Sequence, residues 1–161
     1  MRILQATSEF FPYSKTGGLA DMVAGLCGAL VGMGESITVA SPMYQGIREA
    51  HPDIEPAADA FTIILGDAKV VGRWWRLKNP TGPEVLFLEN NYFYNRPGLY
   101  TENGEGYQDN PERFIFFSRA IADLAAEYDL LHLHDWQTAL VPMLLKEQSG
   151  VGVRTVFTVH N

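Results

Sequence analysis

The sequence is poor in cysteine and in long hydrophobic runs, and each scarcity excludes a class of protein. Its single cysteine, Cys27, cannot form an internal disulfide, and we expect it to be a small core residue of a cytosolic protein. No apolar run approaches the roughly 18 residues of a membrane-spanning helix. The first residues also lack the basic and then apolar layout of a secretory signal peptide. The sequence therefore predicts a cytoplasmic protein.

Positive charge is scarce as well. The 161 residues include 12 Lys and Arg against 19 Asp and Glu, so that the formal net charge is −7. This balance argues against binding to nucleic acid or to an anionic membrane. Any anionic ligand would have to be bound by local positive features. Hydrophobic residues make up 47% of the chain, which at this length suffices for one globular domain.

The first forty residues have the pattern of a β-α-β unit. Residues 2–7 are apolar and bounded by turn residues, as in a buried parallel strand. Apolar residues then recur at helical spacing from Leu19 to Met33, and residues 36–40 have a second strand pattern. Two strands joined in this way are expected to be parallel, with a right-handed crossover.

The rest of the chain continues to alternate strands and helices. The patterns assigned to strands are residues 61–65, 70–77, 84–89, 130–134 and 155–159, and those assigned to helices are 111–128 and 136–148. The first two strands form a β-hairpin, and residues 90–110 are predicted to be a long loop. Asn110 is expected to cap the next helix, and Pro142 to delay or bend the last one. The predicted fold class is α/β, a Rossmann-like three-layer α/β/α sandwich with a mostly parallel sheet and a β-hairpin, without an internal domain boundary.

Polar and ring-bearing residues follow three of the predicted parallel strands. They are residues 15–18 after the first strand, 134–136 after the strand that begins at 130, and 160–161 after the last. In an open parallel sheet, ligands bind beyond the carboxyl ends of the strands. The three sets are therefore expected to meet at one edge, where Trp136 is expected to pack against the helix start.

The loop after the first strand, Lys15-Thr-Gly-Gly18, has the composition of an anion site. Two glycines let the backbone approach a phosphate, the first turn of a helix presents unpaired N–H groups, and Lys15 adds a mobile charge. A glycine pair can equally serve only to turn the chain. The loop is neither a Walker motif nor Gly-x-Gly-x-x-Gly, which disfavours P-loop ATPase and ordinary NAD chemistry.

For the other candidate residues, the sequence is consistent with a structural role as well as with a functional one. Asp21 falls in the first helical turn, where the helix dipole favours a carboxylate without any ligand. His132 and His134 share one face of a strand, which can suit a metal, but no cysteine or Glu-x-x-His pattern accompanies them, so that no metal site is expected. His134 and Asp135 could form a structural pair, and His160 could be structural or functional.

Seven motifs in a fixed order closely match one enzyme family. They are Lys15-Thr-Gly-Gly-Leu-Ala-Asp21, Tyr94-Asn-Arg-Pro-Gly-Leu-Tyr100, Asn110-Pro-Glu-Arg-Phe114, Phe117-Ser-Arg119, His134-Asp-Trp136, Thr138-Ala-Leu-Val-Pro142 and Thr158-Val-His-Asn161. Through them the chain resembles, from end to end, the bacterial and plant glycogen and starch synthases. These are ADP-glucose-dependent α-1,4-glucan synthases with a two-domain GT-B fold. The resemblance implies a cytoplasmic enzyme, or a plastid one if the chain is from a plant.

The resemblance also implies roles for particular residues. Lys15 would contact the phosphates of the sugar nucleotide, and Gly17 and Gly18 would line the same pocket. Asp135 and His160 would lie at the donor glucose. Further implied positions are Asp21 near the reacting groups, Tyr94 at the adenine nucleotide and Asn161 among the ADP-glucose contacts. No metal or other cofactor is implied if protein cations neutralise the diphosphate.

The implied reaction is retaining transfer of glucose from ADP-glucose to the non-reducing end of an α-1,4-glucan. Gln137 departs from the family pattern, because many members have histidine there. The resemblance further implies that most of such an enzyme, including its C-terminal domain, would follow Asn161. We therefore expect residues 1–161 alone to be inactive. Two alternatives stay open: a related GT-B glucosyltransferase with another donor or acceptor, and a non-catalytic nucleotide- or glucan-binding module.

Overall fold

A computed structural model describes residues 1–148 and 152–160. Its strands are β1 (Arg2–Ala6), β2 (Ser36–Pro42), β3 (Glu55–Pro56), β4 (Phe61–Leu65), β5 (Ala68–Leu77), β6 (Glu84–Glu89), β7 (Thr101–Glu102), β8 (Glu105–Gly106), β9 (Leu130–His134) and β10 (Arg154–Thr158). Its α-helices are α1 (Gly18–Gly32), α2 (Ile47–Ala50), α3 (Asn91–Tyr94), α4 (Asn110–Leu124) and α5 (Val141–Glu147), and 3-10 turns span Ala125–Glu127 and Trp136–Thr138. No helix in these described ranges is long and apolar enough to cross a membrane.

The main sheet is parallel at its centre and antiparallel at one side. Its strand order is β10-β9-β1-β2-β6-β5-β3, and β4 pairs only with β5. The first five strands of this order run parallel, so that β1, β9 and β10 end at the same edge. The hairpin β4–β5 turns through Gly66, whose φ of 58° favours glycine.

Helices cover both faces of this sheet. The chain moves from β1 through α1 to β2 in one direction, and from β6 through α4 to β9 and through α5 to β10 in the other. Right-handed crossovers therefore place α1 on one face and α4 with α5 on the opposite face. Consistent with this, α4 packs against α5 whereas α1 packs against β2. The three layers confirm the predicted fold class.

The helices bury the apolar positions that their spacing indicates. Helix α1 buries Val23 and Cys27, so that the lone cysteine is a core residue. Helix α4 buries Phe114, Phe117 and Ile121 against the sheet. This packing holds the carboxyl ends of the parallel strands in fixed positions relative to one another.

One helix start differs from its prediction and another agrees with it. Helix α4 begins at Asn110, with Asp109 as the preceding residue, so that the predicted cap is wrong by one position. The Asn110 side chain instead accepts from Arg113 Nη1 at 2.6 Å and donates to the Tyr100 carbonyl at 3.0 Å. The last helix does begin late: α5 starts only at Val141, immediately before the proline.

Candidate functional site

A cleft of about 530 Å³ lies beyond the carboxyl ends of β1, β9 and β10. Of the residues predicted from the sequence, Gly17, Gly18, Asp135 and His160 line it. They come from three distant parts of the chain, and the parallel sheet brings them together as the strand-end rule predicts. We refer to this space as the strand-end cleft.

The glycine loop is shaped by Glu9, which sequence reasoning missed. This carboxylate is 4% exposed and accepts from Thr16 N and Thr16 Oγ1, both at 2.6 Å, and from Gly17 N at 3.3 Å. Tyr100 donates to it from across the cleft at 2.8 Å. Two loop amides are thus already bonded to a carboxylate. The amides available to an anion are those of the first turn of α1, at Gly18 and Leu19, which line the cleft.

Lys15 and Asp21 form an ion pair at the rim of the cleft. Lys15 Nζ lies 2.6 Å from Asp21 Oδ2, and the two side chains are 46% and 52% exposed. Neither residue lines the cleft itself. For Lys15 to contact a phosphate there, its ammonium would have to leave Asp21, at a small free-energy cost because exposed ion pairs contribute only about 0–1 kcal/mol.

Asp135 connects the ends of two neighbouring strands. Its backbone N–H donates to the Thr158 carbonyl at 3.0 Å, and its Oδ1 accepts from His160 N at 2.9 Å. Its φ of 61° and ψ of −178° lie in a region occupied almost only by glycine. A strained backbone held by hydrogen bonds on both sides therefore aims this buried carboxylate at the cleft.

Behind Asp135, a row of rings runs from the core to the cleft. His134 is fully buried, with Nε2 2.8 Å from Gln5 Oε1 and Nδ1 3.1 Å from His160 Nε2. Burial, together with the neighbouring His132 and His160, lowers the pKa of the His134 ring to about 3. The ring is accordingly neutral at physiological pH. Across residues 1–148 and 152–160, no three His, Cys, Asp or Glu side chains are arranged to hold a metal ion.

Tyr94 lies in the core rather than in the cleft. It is fully buried, and its hydroxyl donates to the Arg113 carbonyl at 2.8 Å. Burial raises the pKa of this hydroxyl well above its ordinary value. A contact between Tyr94 and a nucleotide stays a prediction from the resemblance. Asn161, also predicted to bind ADP-glucose, lies outside the described residues.

Two further residues line the cleft without having been predicted as ligand contacts. Trp136 packs edge-on against Phe114 of α4 at a centroid distance of 5.0 Å, and 53% of it is exposed. Gln137 is buried, and its Oε1 has no hydrogen-bond partner among the described residues. An exposed indole ring and an unpaired amide oxygen are suited to contact a sugar.

The family model described as "Starch synthase catalytic domain" matches residues 2–161. The chain belongs to this family. The resemblance indicated by the seven motifs is thereby confirmed.

Curated relatives and a solved structure agree with membership of the starch synthase catalytic domain family. Glycogen synthases of Syntrophotalea carbinolica and Caldicellulosiruptor bescii are each 37% identical over the whole chain, which covers 35% and 34% of their lengths. The catalytic domain of starch synthase IV from Arabidopsis thaliana, bound to ADP and acarbose, superposes with a TM-score of 0.80 at 28% identity. That match covers 99% of this chain and 34% of the plant one. The chain thus spans about a third of the length of its relatives.

Proposed function

We propose that this chain is the N-terminal part of an ADP-glucose-dependent glycogen or starch synthase. Such an enzyme transfers glucose, with retention of configuration, to the 4-hydroxyl at the non-reducing end of an α-1,4-glucan. Family membership supports the proposal, as does the ADP and acarbose bound by the Arabidopsis relative. The observation that carries it is the strand-end cleft, which joins a helix N-terminus to Asp135 and His160.

The reaction needs stabilisation of a leaving diphosphate. When the C1–O bond to the phosphate breaks, negative charge develops on ADP and positive charge on the glucose ring. Preorganised N–H groups and cations at the diphosphate lower the barrier to this step. The first amides of α1 and Lys15 would serve in this way, with Lys15 exchanging Asp21 for the phosphates. Asp21 would remain beside the reacting groups.

The glucose must also be oriented for attack by the acceptor. Asp135 Oδ1 is bonded to the backbone of His160, so that its second oxygen is the one left for a sugar hydroxyl. The His160 ring lines the same cleft. Both groups are held by strand ends rather than by a loose loop, and fixed positions of this kind favour a reactive geometry.

The remaining wall of the cleft would come from the two thirds of such an enzyme that residues 1–161 do not span. The relatives are about three times as long as the chain, and we assign the second, nucleotide-binding domain of the GT-B fold to that remainder. None of the described residues that line the cleft is a lysine or an arginine, and Lys15 is paired with Asp21 at its rim. A polypeptide of residues 1–161 is therefore expected to transfer no glucose and to bind ADP-glucose weakly.

Substitution of Lys15 in the full-length protein tests the function. We expect Lys15→Ala to lower kcat/KM for ADP-glucose by about 10²–10³-fold, because a charged donor to the leaving group is lost. The stability should hardly change. The matched control is Lys78→Ala, which removes another exposed lysine from a 2.6 Å ion pair, with Glu55, and should leave the rate unchanged.

The assay uses radiolabelled ADP-glucose and UDP-glucose with glycogen as acceptor. If UDP-glucose served equally well as the donor, the assignment of ADP-glucose would be wrong and the protein would be a related glucosyltransferase. Tight nucleotide binding without transfer by the full-length protein would indicate a non-catalytic module. Transfer by residues 1–161 alone would contradict the assignment of the second half of the site to the rest of the enzyme.

A further inference from the structure

Gln5, His134 and His160 form a continuous hydrogen-bonded row from the interior of the sheet to the strand-end cleft. Gln5 is the penultimate residue of β1 and is fully buried, as is His134 on the neighbouring strand. The His134 and His160 ring centroids are 5.3 Å apart, and the His132 ring lies 4.2 Å from that of His134. His132 itself bonds to Thr158 Oγ1 at 2.8 Å and is not a link in the row.

The central ring of the row can donate only one hydrogen bond. Burial keeps His134 neutral, with a pKa lowered to about 3. A neutral imidazole has one N–H and one bare nitrogen, so that its two contacts must have opposite character. The amide oxygen of Gln5 can only accept, and it lies 2.8 Å from His134 Nε2. With the Gln5 amide oriented so that its oxygen faces His134, the proton of His134 is on Nε2 and Nδ1 is the acceptor. Gln5 Nε2 then has no hydrogen-bond partner among the described residues.

This arrangement determines the donor in the next contact. His134 Nδ1 is 3.1 Å from His160 Nε2 and carries no proton, so that His160 must donate from Nε2. No described residue bonds to His160 Nδ1. The main chain of His160 is held separately, through the bond of its N–H to Asp135. Ring and backbone of the same residue are thus fixed by different partners.

We propose that Gln5 and His134 are positioning residues that hold His160 in one tautomer, with Nε2 protonated and Nδ1 free to accept a hydrogen bond from a hydroxyl group of the bound sugar. The sugar in this statement rests on the proposed function, whereas the tautomer does not. Gln5 and His134 act through His160 and touch no substrate, because both are fully buried.

The tautomer matters because it determines the direction of the hydrogen bond between His160 and a sugar hydroxyl, and so the partners that this hydroxyl can have elsewhere. A bare Nδ1 pairs with a donating hydroxyl, and an Nδ1–H would instead require an acceptor. If the row were broken, part of the protein population would have the other tautomer at His160. The apparent affinity for the sugar would then fall in proportion to the fraction of molecules that keep the competent tautomer. A freer ring would also be less well oriented. We expect Gln5→Met in the full-length enzyme to lower kcat/KM for ADP-glucose by about 2- to 10-fold.

The decisive measurement is spectroscopic. Two-bond ¹⁵N–¹H spectra of the full-length protein, labelled at histidine and kept at pH 8.5, distinguish protonated from bare ring nitrogens. The His160 signals are assigned by their loss in His160→Gln. In the unsubstituted protein we expect protonated Nε2 and bare Nδ1. Gln5→Met should give a mixture of tautomers at His160.

A second variant and a matched control separate positioning from general damage to the core. His134→Phe replaces the central ring by one without nitrogens and should release His160 in the same way, even if Gln5→Met fails to fold. Leu4→Val shortens the adjacent buried residue of the same strand, on the opposite face. It should lower the stability by about 1 kcal/mol and leave the tautomer unchanged.

Each result has a defined meaning. A protonated Nδ1 of His160, or a mixture of its two tautomers, in the unsubstituted protein overturns the proposal. Either result would mean that the hydrogen bonds of the row do not all run from His160 through His134 to Gln5. An unchanged His160 spectrum in a folded Gln5→Met or His134→Phe variant overturns it as well. If the expected tautomer is found but the full-length protein transfers no glucose, the proposed function is wrong and the positioning of His160 stands.

Discussion

At the scale of single residues, Glu9 shows how the shape of the Lys15-Thr-Gly-Gly18 loop depends on a side chain outside its motif. Its carboxylate binds Thr16 and Gly17 of the loop and also Tyr100, a residue 91 positions away in the chain. A glutamate after Ser8 has the local pattern of a surface residue. Its burial becomes visible only when β1 and the segment around Tyr100 lie against each other. The shape of the loop is therefore set by a long-range contact.

Asp135 is the residue whose backbone carries the most evident strain. Replacing it with either Ala or Gly removes the carboxylate, but only Gly adopts its φ of 61° and ψ of −178° without strain. The strain of about 1–3 kcal/mol should outweigh the entropic cost of glycine, about 0.5–1 kcal/mol. We expect Asp135→Gly to be more stable than Asp135→Ala by about 1 kcal/mol, measured by urea unfolding.

The same pair of substitutions at an ordinary helical position is the control. Arg119 lies exposed in the middle of α4, where Ala should be more stable than Gly by about 1 kcal/mol. The order of the two variants should thus be opposite at the two sites. If Ala were the more stable residue at position 135 too, the strained backbone would not be a property of the protein.

At the scale of elements, residues 90–110 differ most from their sequence pattern. The expected long loop contains helix α3 and the small hairpin β7–β8. Arg96 binds Asp109 through two nitrogens at 2.7 and 2.6 Å, and the fully buried Arg113 donates to the Phe93 carbonyl at 2.8 Å. These charged hydrogen bonds tie the segment to the start of α4. The conformation of residues 90–110 is therefore fixed by side-chain hydrogen bonds and not by a regular apolar repeat.

The Arg96–Asp109 pair should make the stability depend on acid pH. The hydrogen bond from Arg96 lowers the pKa of the Asp109 carboxyl. Because the pKa of Asp109 is lower in the folded than in the unfolded state, its ionised carboxylate stabilises the fold fully above the unfolded-state pKa of about 3.9. This stabilisation is lost as the pH falls through the folded-state pKa. We expect Asp109→Asn to cost about 1–3 kcal/mol at pH 7, with the difference shrinking below about pH 4. Urea unfolding of both proteins from pH 7 to pH 2 measures this.

Asp123 is a control with the opposite sign. Partial desolvation raises the pKa of its carboxyl, although the residue as a whole is exposed, so that the proton is bound more tightly in the folded state. The stability of the protein relative to Asp123→Asn should therefore decrease as the pH rises through that raised pKa. If the stability differences caused by Asp109→Asn and by Asp123→Asn changed in the same direction with pH, the pH dependence at Asp109 would not come from its pairing with Arg96.

At the scale of the whole molecule, within residues 1–148 and 152–160, β1 and β2 are mostly buried whereas β10 is mostly exposed. Val156 and Phe157 are 44% and 42% exposed, although they are successive residues that point to opposite faces of the strand. Among the described residues, β10 pairs only with β9, so that its outer edge is unpaired. An exposed apolar edge strand is a site for pairing with another chain.

A polypeptide of residues 1–161 is therefore expected to self-associate through β10. Val156→Lys with Phe157→Lys should weaken the association at least about tenfold, because two apolar side chains leave the contact and charges enter it. Sedimentation velocity over a range of concentrations measures the change. Met33→Lys, at a 77% exposed position on the end of α1, is the control and should leave the association unchanged. An equal effect of this control would exclude β10 as the contact.

The sequence by itself determined the alternation of strands and helices, the fold class and the meeting of residues 16–18, 135–136 and 160 at one edge. These features follow from hydrophobic periodicity and from the direction of parallel strands, both of which are local properties of a chain. The motifs also sufficed for the family. Helix starts and the short elements within 90–110 were less predictable, because they depend on particular side-chain bonds.

Only the tertiary structure decided which predicted residues share the cleft. It placed Lys15 in an ion pair at the rim and Tyr94 in the core, and it joined Gln5 to His160 through His134. Such contacts link residues up to 129 positions apart. Local patterns cannot encode them, because a buried polar group is identified by the partner that satisfies it, and that partner is brought near only by the packed sheet.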